Sequence, residues 1–234
     1  MDLDNKVVII TGGSKGIGRA LAVRFAKEGA RIAISARGKE SLTQAENEIK
    51  SFGNDTFAFS GDMRKEKDIK LFVNGTLKNL GQIDILINNA GYGKFANIAE
   101  MSTSDWDDMF NLNVRGLFIA TRECLPHLRK QKESAVINIA SLAGKNTFAG
   151  GGAYTATKHA VLAFSRCLML EERQNGVRVL AICPGSVATN FGHKDIEKEK
   201  RILQAEDVAE SVLHMLKLPQ RAMVSEIDIR PTNP

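Results

Sequence analysis

Tyr154 and Lys158 stand four positions apart in the segment Tyr154-Thr155-Ala156-Thr157-Lys158. On a helix an i, i+4 pair lies on one face. An ammonium beside a phenol favours the phenolate and draws its pKa down toward working pH, which makes a usable proton donor to a carbonyl oxygen. Ser141 closes the apolar run before that segment, and its hydroxyl can hydrogen-bond the same oxygen. Alone, a Tyr and a Lys on a helix are usually surface residues. Their place after the fifth strand, with a hydroxyl at that strand's end, is what raises them above the ordinary.

A second cluster lies near the start. Thr11-Gly12-Gly13-Ser14-Lys15-Gly16-Ile17-Gly18 follows one apolar run and opens a helical pattern. Gly12, Gly16 and Gly18 let the backbone turn and approach a pyrophosphate, with Ser14, Lys15 and Ile17 between them and the helix N-terminus adding its dipole. The spacing is neither G-x-G-x-x-G nor a P-loop, and a tight structural turn is the alternative. After the second strand, where an acidic residue would bind the ribose 2′-OH of NAD, stands Arg37. With Lys15 it suits a 2′-phosphate, hence NADP(H) over NAD(H). Either cation alone would more often be a solvated surface charge. After the third strand, Asp62 beside Met63 can accept from an adenine amino group or cap the next helix. After the fourth, Asn89, Ala90 and Gly91 are small enough for the chain to pass close to a ribose, and Asn side chains can brace neighbouring strands.

The elements that must hold these residues alternate. Apolar runs at Lys6–Thr11, Arg31–Ala36, Thr56–Ser60, Ile83–Asn88, Ala135–Ala140, Val177–Cys183 and Val224–Ile229 read as strands. Between them, Arg19–Lys27, Lys39–Phe52, Lys65–Leu80, Thr103–Lys132, Tyr154–Asn175 and Ala205–Lys217 read as helices, the fourth interrupted near Met109–Asn113. Such alternation predicts an α/β chain: a Rossmann-type doubly wound parallel sheet of about seven strands with helices on both faces, in a single domain over 1–234. Ligands then lie beyond the carboxyl ends of the strands, where the residues above fall.

Composition narrows the class. The chain has 234 residues and a net charge of +5, without the basic stripe or aromatic platform of a nucleic-acid binder. Its densest basic cluster is Arg129, Lys130 and Lys132. Cys124, Cys167 and Cys183 each sit in an apolar run, which predicts three buried thiols and no metal site. No segment has the length of a membrane span or the shape of a signal peptide, so a cytoplasmic protein is expected.

Taken jointly, TGGSKGIG at 11–18, NNAG at 88–91, Asn113 in FNLNV, Ser141, YTATK at 154–158 and PGSVAT at 184–189 resemble the short-chain dehydrogenase/reductase family over Lys6 to Thr189. The resemblance implies a catalytic tetrad of Asn113, Ser141, Tyr154 and Lys158. Tyr154 is the general acid, Lys158 tunes it and bonds the nicotinamide ribose, Ser141 orients the carbonyl, and Asn113 holds a water in a relay ending at Lys158. A structural role for Asn113 within a long helix is compatible. The resemblance also implies that Pro184, Gly185, Val187 and Thr189 cover the nicotinamide, and that the chain self-associates as a homodimer or homotetramer.

The chain departs from the family's common pattern after Thr189. Only residues 190–204, with the charged run DIEKEKR at 195–201, precede the next helix, and the glycine-rich approach to the last strand is missing. Tyr92, Ala143, Phe148 and Phe191 lie beside the motifs and are the expected substrate contacts. The activity implied is hydride transfer between a nicotinamide and a ketone, aldehyde or secondary alcohol. Reduction of a 3-oxoacyl group on an acidic carrier protein drawn to Arg129–Lys132 is a special case. The alternatives are an NAD-dependent alcohol oxidation, disfavoured by Arg37, and a catalytically idle NADP-binding regulator, disfavoured by the complete tetrad.

Overall fold

The computed structural model describes residues 1–189 and 201–232. Seven strands form one sheet: β1 (Val7–Thr11), β2 (Arg31–Ala36), β3 (Thr56–Ser60), β4 (Ile85–Asn88), β5 (Ser134–Ile139), β6 (Val177–Pro184) and β7 (Glu226–Ile229). Their order is β3-β2-β1-β4-β5-β6-β7 and every pairing is parallel. The helices are α1 (Gly16–Ala26), α2 (Lys39–Lys50), α3 (Glu66–Leu80), α4 (Thr103–Phe110), α5 (Leu117–Leu128), α6 (Gly152–Glu172) and α7 (Ala205–Lys217). The expected Rossmann-type sheet is present. No helix among the described residues is long and apolar enough to cross a membrane.

The apolar runs are continuous because both sheet faces are covered. Val8 and Ile10 of β1 join a core with Leu21 and Phe25 of α1 and Val212 of α7. Val7 and Ile9, pointing the other way, join Phe72 of α3 and Ile119 of α5. Fully burying each such side chain stabilises by roughly 1.5–3 kcal/mol. Strand β4 begins at Ile85, later than the apolar pattern suggests, because Asp84 serves β1 instead. Its buried carboxylate accepts from the Val7 N–H at 2.9 Å and from Lys6 Nζ at 2.9 Å.

The interruption expected near Met109–Asn113 is one π-helical turn, Asn111–Gly116, between α4 and α5. Gly116 lies so close to the Met63 carbonyl oxygen that a Cβ would collide with it. The widened turn presents Asn113 inward, and its side chain is buried.

One expectation fails here. Cys124 and Cys183 are buried, but Cys167 is exposed. On α6 the inward positions are Val161, Leu162, Ser165 and Leu168, which turns Cys167 outward. In the basic cluster, Arg129 stays exposed at the end of α5 but is paired with a buried carboxylate. Its guanidinium holds the Glu172 carboxylate at 2.5 and 3.0 Å, and Asn175 donates to the same group at 3.0 Å.

The Glu172 side chain is 1% exposed, so Arg129→Ala leaves a buried carboxylate without its cation. A loss of about 1–3 kcal/mol is expected in urea unfolding at neutral pH. The Arg129 hydrogen bond, against the opposing push of burial, holds the Glu172 pKa below its ordinary 4.5. The pair's stabilisation is therefore full above 4.5 and disappears as pH falls through the lowered folded value. Wild type and variant should converge in acid. Equal urea midpoints at neutral pH would contradict the assignment.

Candidate active site

Strand β1 has β2 on one side and β4 on the other, so the chains leaving β1 and β4 part in opposite directions and open a crevice at their carboxyl ends. Thr11 and Asn89 brace that crevice. Thr11 Oγ1 accepts the N–H groups of Asn89 and Ala90, each at 3.1 Å, while Asn89 Nδ2 donates to the carbonyls of Thr11 at 3.1 Å and Gly12 at 3.0 Å. Gly12 and Gly16 have φ of 69° and 51°, values that a side chain rarely tolerates. A Cβ on Gly18 would collide with the Gly12 carbonyl oxygen. Helix α1 starts at Gly16, earlier than the apolar spacing suggests, with no side-chain cap and no acidic residue in its first turn. Its leading N–H groups are thus suited to an anion.

Ser14 is buried beside Ser41, with the two hydroxyls 3.4 Å apart, and Ile17 packs against the core. Lys15 and Arg37 are exposed, and neither forms an ion pair among the described residues. Asp62 is already engaged. It accepts the Arg64 guanidinium at 2.7 and 3.0 Å and the Arg64 N–H at 3.0 Å. Burial pushes its pKa up, but these bonds and the charges of Arg64 and Arg37 outweigh it and leave a depressed value. The reading of Asp62 as a helix cap does not hold, because α3 begins after Lys65 and Asp62 closes the turn before it. Met63 is buried beneath.

On the other side of the crevice, β5 ends at Ile139 and leads to Ser141, and the first turn of α6 carries Tyr154. Ser141 Oγ accepts the Ala143 N–H at 3.1 Å, lies 3.5 Å from the Pro184 carbonyl oxygen, and hydrogen-bonds Tyr154. Lys158 is buried. Its Nζ donates to the Ile139 carbonyl at 2.8 Å and lies 5.8 Å from the centre of the Tyr154 ring. Ser141, Tyr154 and Lys158 are thus brought together.

The expected sign of the Tyr154 shift is reversed. Burial raises its pKa above 10, with the Ser141 hydrogen bond opposing. The Lys158 ammonium is turned toward a carbonyl, and burial brings its own pKa down to about 8. Desolvation of two groups dominates over their mutual influence.

Asn113 is held from both ends. Its Oδ1 accepts the Tyr92 N–H at 3.0 Å, and its Nδ2 donates to the Tyr92 carbonyl at 2.9 Å and to Thr157 Oγ1 at 3.1 Å. Thr157 then donates to the Tyr154 carbonyl at 2.8 Å. Gly91 passes so close that a Cβ would lie 3.0 Å from Asn113 Oδ1. The Asn113 side chain thereby locks the loop after β4 to the start of α6. Thr157 was not singled out from the sequence, where nothing distinguishes it from Thr155.

Beyond β6, the Gly185 N–H donates to the Ile229 carbonyl at 2.8 Å, and Val187 bridges to Leu203. Thr189 reaches Gly16, whose added Cβ would be 3.1 Å from the Thr189 methyl. The segment after β6 therefore meets the N-terminus of α1. Tyr92 and Ala143 pack in one apolar cluster with Tyr154, and Phe148 is half exposed nearby. Phe191, and all but Arg201 of the charged run, lie outside the described residues. Phe95 was missed; only its position in the loop after β4 could have drawn attention to it. A separate cavity of about 680 Å³ behind α1 touches the crevice at Gly16 and Thr189 but not at Tyr154. Among the described residues no group of His, Cys, Asp or Glu could hold a metal ion.

Comparison with known proteins gives a consistent result. The model of the short chain dehydrogenase family matches residues 6–200. An uncharacterised oxidoreductase of Staphylococcus aureus is 31% identical over 229 residues, 98% of each chain. The structure of an alcohol dehydrogenase from the archaeon Thermococcus sibiricus, complexed with 5-hydroxy-NADP, superposes with a TM-score of 0.90 at 30% identity over 97% of each chain. That of a metagenomic short-chain oxidoreductase in complex with NADP gives 0.88 at 32% identity over 100% of each.

Proposed function

The chain belongs to the short-chain dehydrogenase family, and from that premise we propose that it is an NADP(H)-dependent carbonyl reductase with Tyr154 as its general acid. The observation that carries the reading is the meeting of Ser141, Tyr154 and Lys158 at the carboxyl edge of the sheet, next to the crevice between β1 and β4.

The crevice fits a dinucleotide. Gly12, Gly16 and Gly18 leave no room for a Cβ or adopt conformations that resist one, and the first turn of α1 offers N–H groups to a pyrophosphate. Lys15 and Arg37 supply charge for a 2′-phosphate. Asp62 and Met63 would border the adenine, Asn89, Ala90 and Gly91 the ribose, and Pro184, Gly185, Val187 and Thr189 the nicotinamide. Both superposed enzymes carry an NADP or a derivative in their structures, which favours the same class here. When bound, the nicotinamide supplies a hydride.

In this reading Ser141 holds the substrate oxygen and Tyr154 delivers a proton to it. The raised Tyr154 pKa keeps the phenol protonated at neutral pH, as a donor must be. Lys158, with a pKa of about 8, carries most of its charge at neutral pH, and that charge stabilises the phenolate left after transfer. Asn113 acts through its grip on Tyr92 and Thr157, and because its side-chain amide is occupied there, it contributes to a water relay only beyond those bonds. The carrier-protein variant is weakened, since Arg129 is held by Glu172.

A panel of ketones and aldehydes assayed with NADPH and NADH tests the proposal. NADPH consumption with at least one carbonyl compound, much faster than with NADH, is expected. A protein that binds NADPH tightly yet reduces none of the panel would support the idle regulator instead.

A further inference from the structure

The outer side of Tyr154 is an apolar wall. Phe95, from the loop between β4 and α4, meets the Tyr154 ring edge-on with centroids 5.5 Å apart. Phe148, from the loop between β5 and α6, lies 5.8 Å from Phe95. Phe95 is 47% exposed, Phe148 50% and Ile98 69%. Three large apolar groups left partly in water beside a reacting hydroxyl mark a surface suited to apolar material.

These side chains are held in place. The Ala96 N–H donates to the Gly150 carbonyl at 2.9 Å and ties the two loops together. A Cβ on Gly151 would be 2.6 Å from the Phe148 ring, and one on Gly152 would collide with Ile98. The glycines therefore make room for the wall. Among the described residues its surroundings carry little unbalanced charge. The charges that reach Tyr92 are Asp105, Asp108, Arg64 and Lys94. Lys94 pairs with Asp105 at 2.8 Å and Arg64 with Asp108 at 2.7 Å. Lys145, past Ser141, is held by Glu226 at 2.6 Å and Asp228 at 2.5 Å. Among the described residues, a carboxylate or phosphate on the substrate would find these cations already paired.

We propose that Phe95, Phe148 and Ile98 form an apolar subsite that selects neutral aromatic or alicyclic ketones over charged oxo acids. This rests on the carbonyl-reductase reading and names its substrate class. An aromatic ring on the substrate can stack against Phe95 and Phe148 while its carbonyl reaches Ser141 and Tyr154.

The test measures kcat/KM with NADPH for β-tetralone, butanone and pyruvate. β-Tetralone should exceed pyruvate by about 10²-fold, the scale of burying one ring. Phe95→Ala and Phe148→Ala should each lower the tetralone-to-butanone ratio about 10-fold, through KM, and Phe95→Leu should restore part of it. Pyruvate reduced as well as tetralone, or a ratio unmoved in both alanine variants, overturns the proposal. If neither these ketones nor any member of the wider ketone and aldehyde panel is reduced, the reductase reading fails and the subsite is judged by calorimetric binding of β-tetralol. Binding weakened by Phe95→Ala sustains it; binding that is absent, or equal in wild type and both variants, overturns it.

Discussion

Tyr154→Phe is expected to lower carbonyl reduction by about 10²–10⁴-fold while leaving NADPH affinity within about twofold. The range is that of a lost general acid. The change removes one hydroxyl, the partner of Ser141, and keeps the ring that packs with Ala143 and Met109 and meets Phe95 edge-on. Folding should therefore be undisturbed, and the loss should fall on kcat with KM nearly unchanged. Lys158→Met should behave differently. It removes a buried ammonium whose pKa is near 8 and whose Nζ holds the Ile139 carbonyl, so both rate and cofactor binding should suffer. In wild type the Lys158 contribution should fade as pH rises through about 8, because the charge that stabilises the phenolate is lost there. Stopped-flow and steady-state rates across pH measure all of this. A Tyr154→Phe variant with more than a tenth of wild-type kcat would remove Tyr154 from the acid's role.

Arg37→Ala together with Lys15→Ala should raise the Kd for NADPH about 10²-fold and leave that for NADH within twofold. Both cations are exposed, and neither forms an ion pair among the described residues. A charge-assisted hydrogen bond to phosphate contributes roughly 1.5–3 kcal/mol, and exposure reduces this, so about tenfold per residue is a fair scale. The effect should shrink with added salt, since two solvated charges are screened. Fluorescence titration with each nucleotide measures the difference. Equal weakening for both nucleotides would mean that the residues shape the loop rather than read the 2′-phosphate. Unchanged NADPH affinity would reverse the cofactor preference proposed here.

The effects that the chain's order alone made visible are local ones. The limits of β2, β3 and α7 match the apolar patterns residue for residue, because strand and helix periods are written in neighbouring side chains. The glycine-rich turn was legible because Gly12 and Gly16 need backbone conformations that other residues avoid. The face shared by Tyr154 and Lys158 follows from helix geometry. Once the alternation of elements implied a parallel sheet, the carboxyl edge was located as well.

What the fold decided are matters of burial and of partners distant in sequence. The sign of the Tyr154 shift turned on desolvation, which no spacing reveals. Asp62 was read as a cap or an adenine contact; it is not the cap of α3, and its carboxylate is bound by Arg64. Arg129 was read as one of a basic cluster, and its pairing with Glu172 at the end of α6 could not be seen in the sequence. Cys167 was read as buried because it sits in an apolar run, and it lies on the outer face of its helix. Phe95 acquires its place only when the loops after β4 and β5 are tied together by Ala96 and Gly150. Composition and periodicity determine which elements form and where a dinucleotide-shaped crevice must open. Only the packed chain determines which charges are already neutralised, how far each hydroxyl and ammonium is removed from water, and hence which proton is ready to move, because electrostatic energies depend on distance and solvent access in three dimensions.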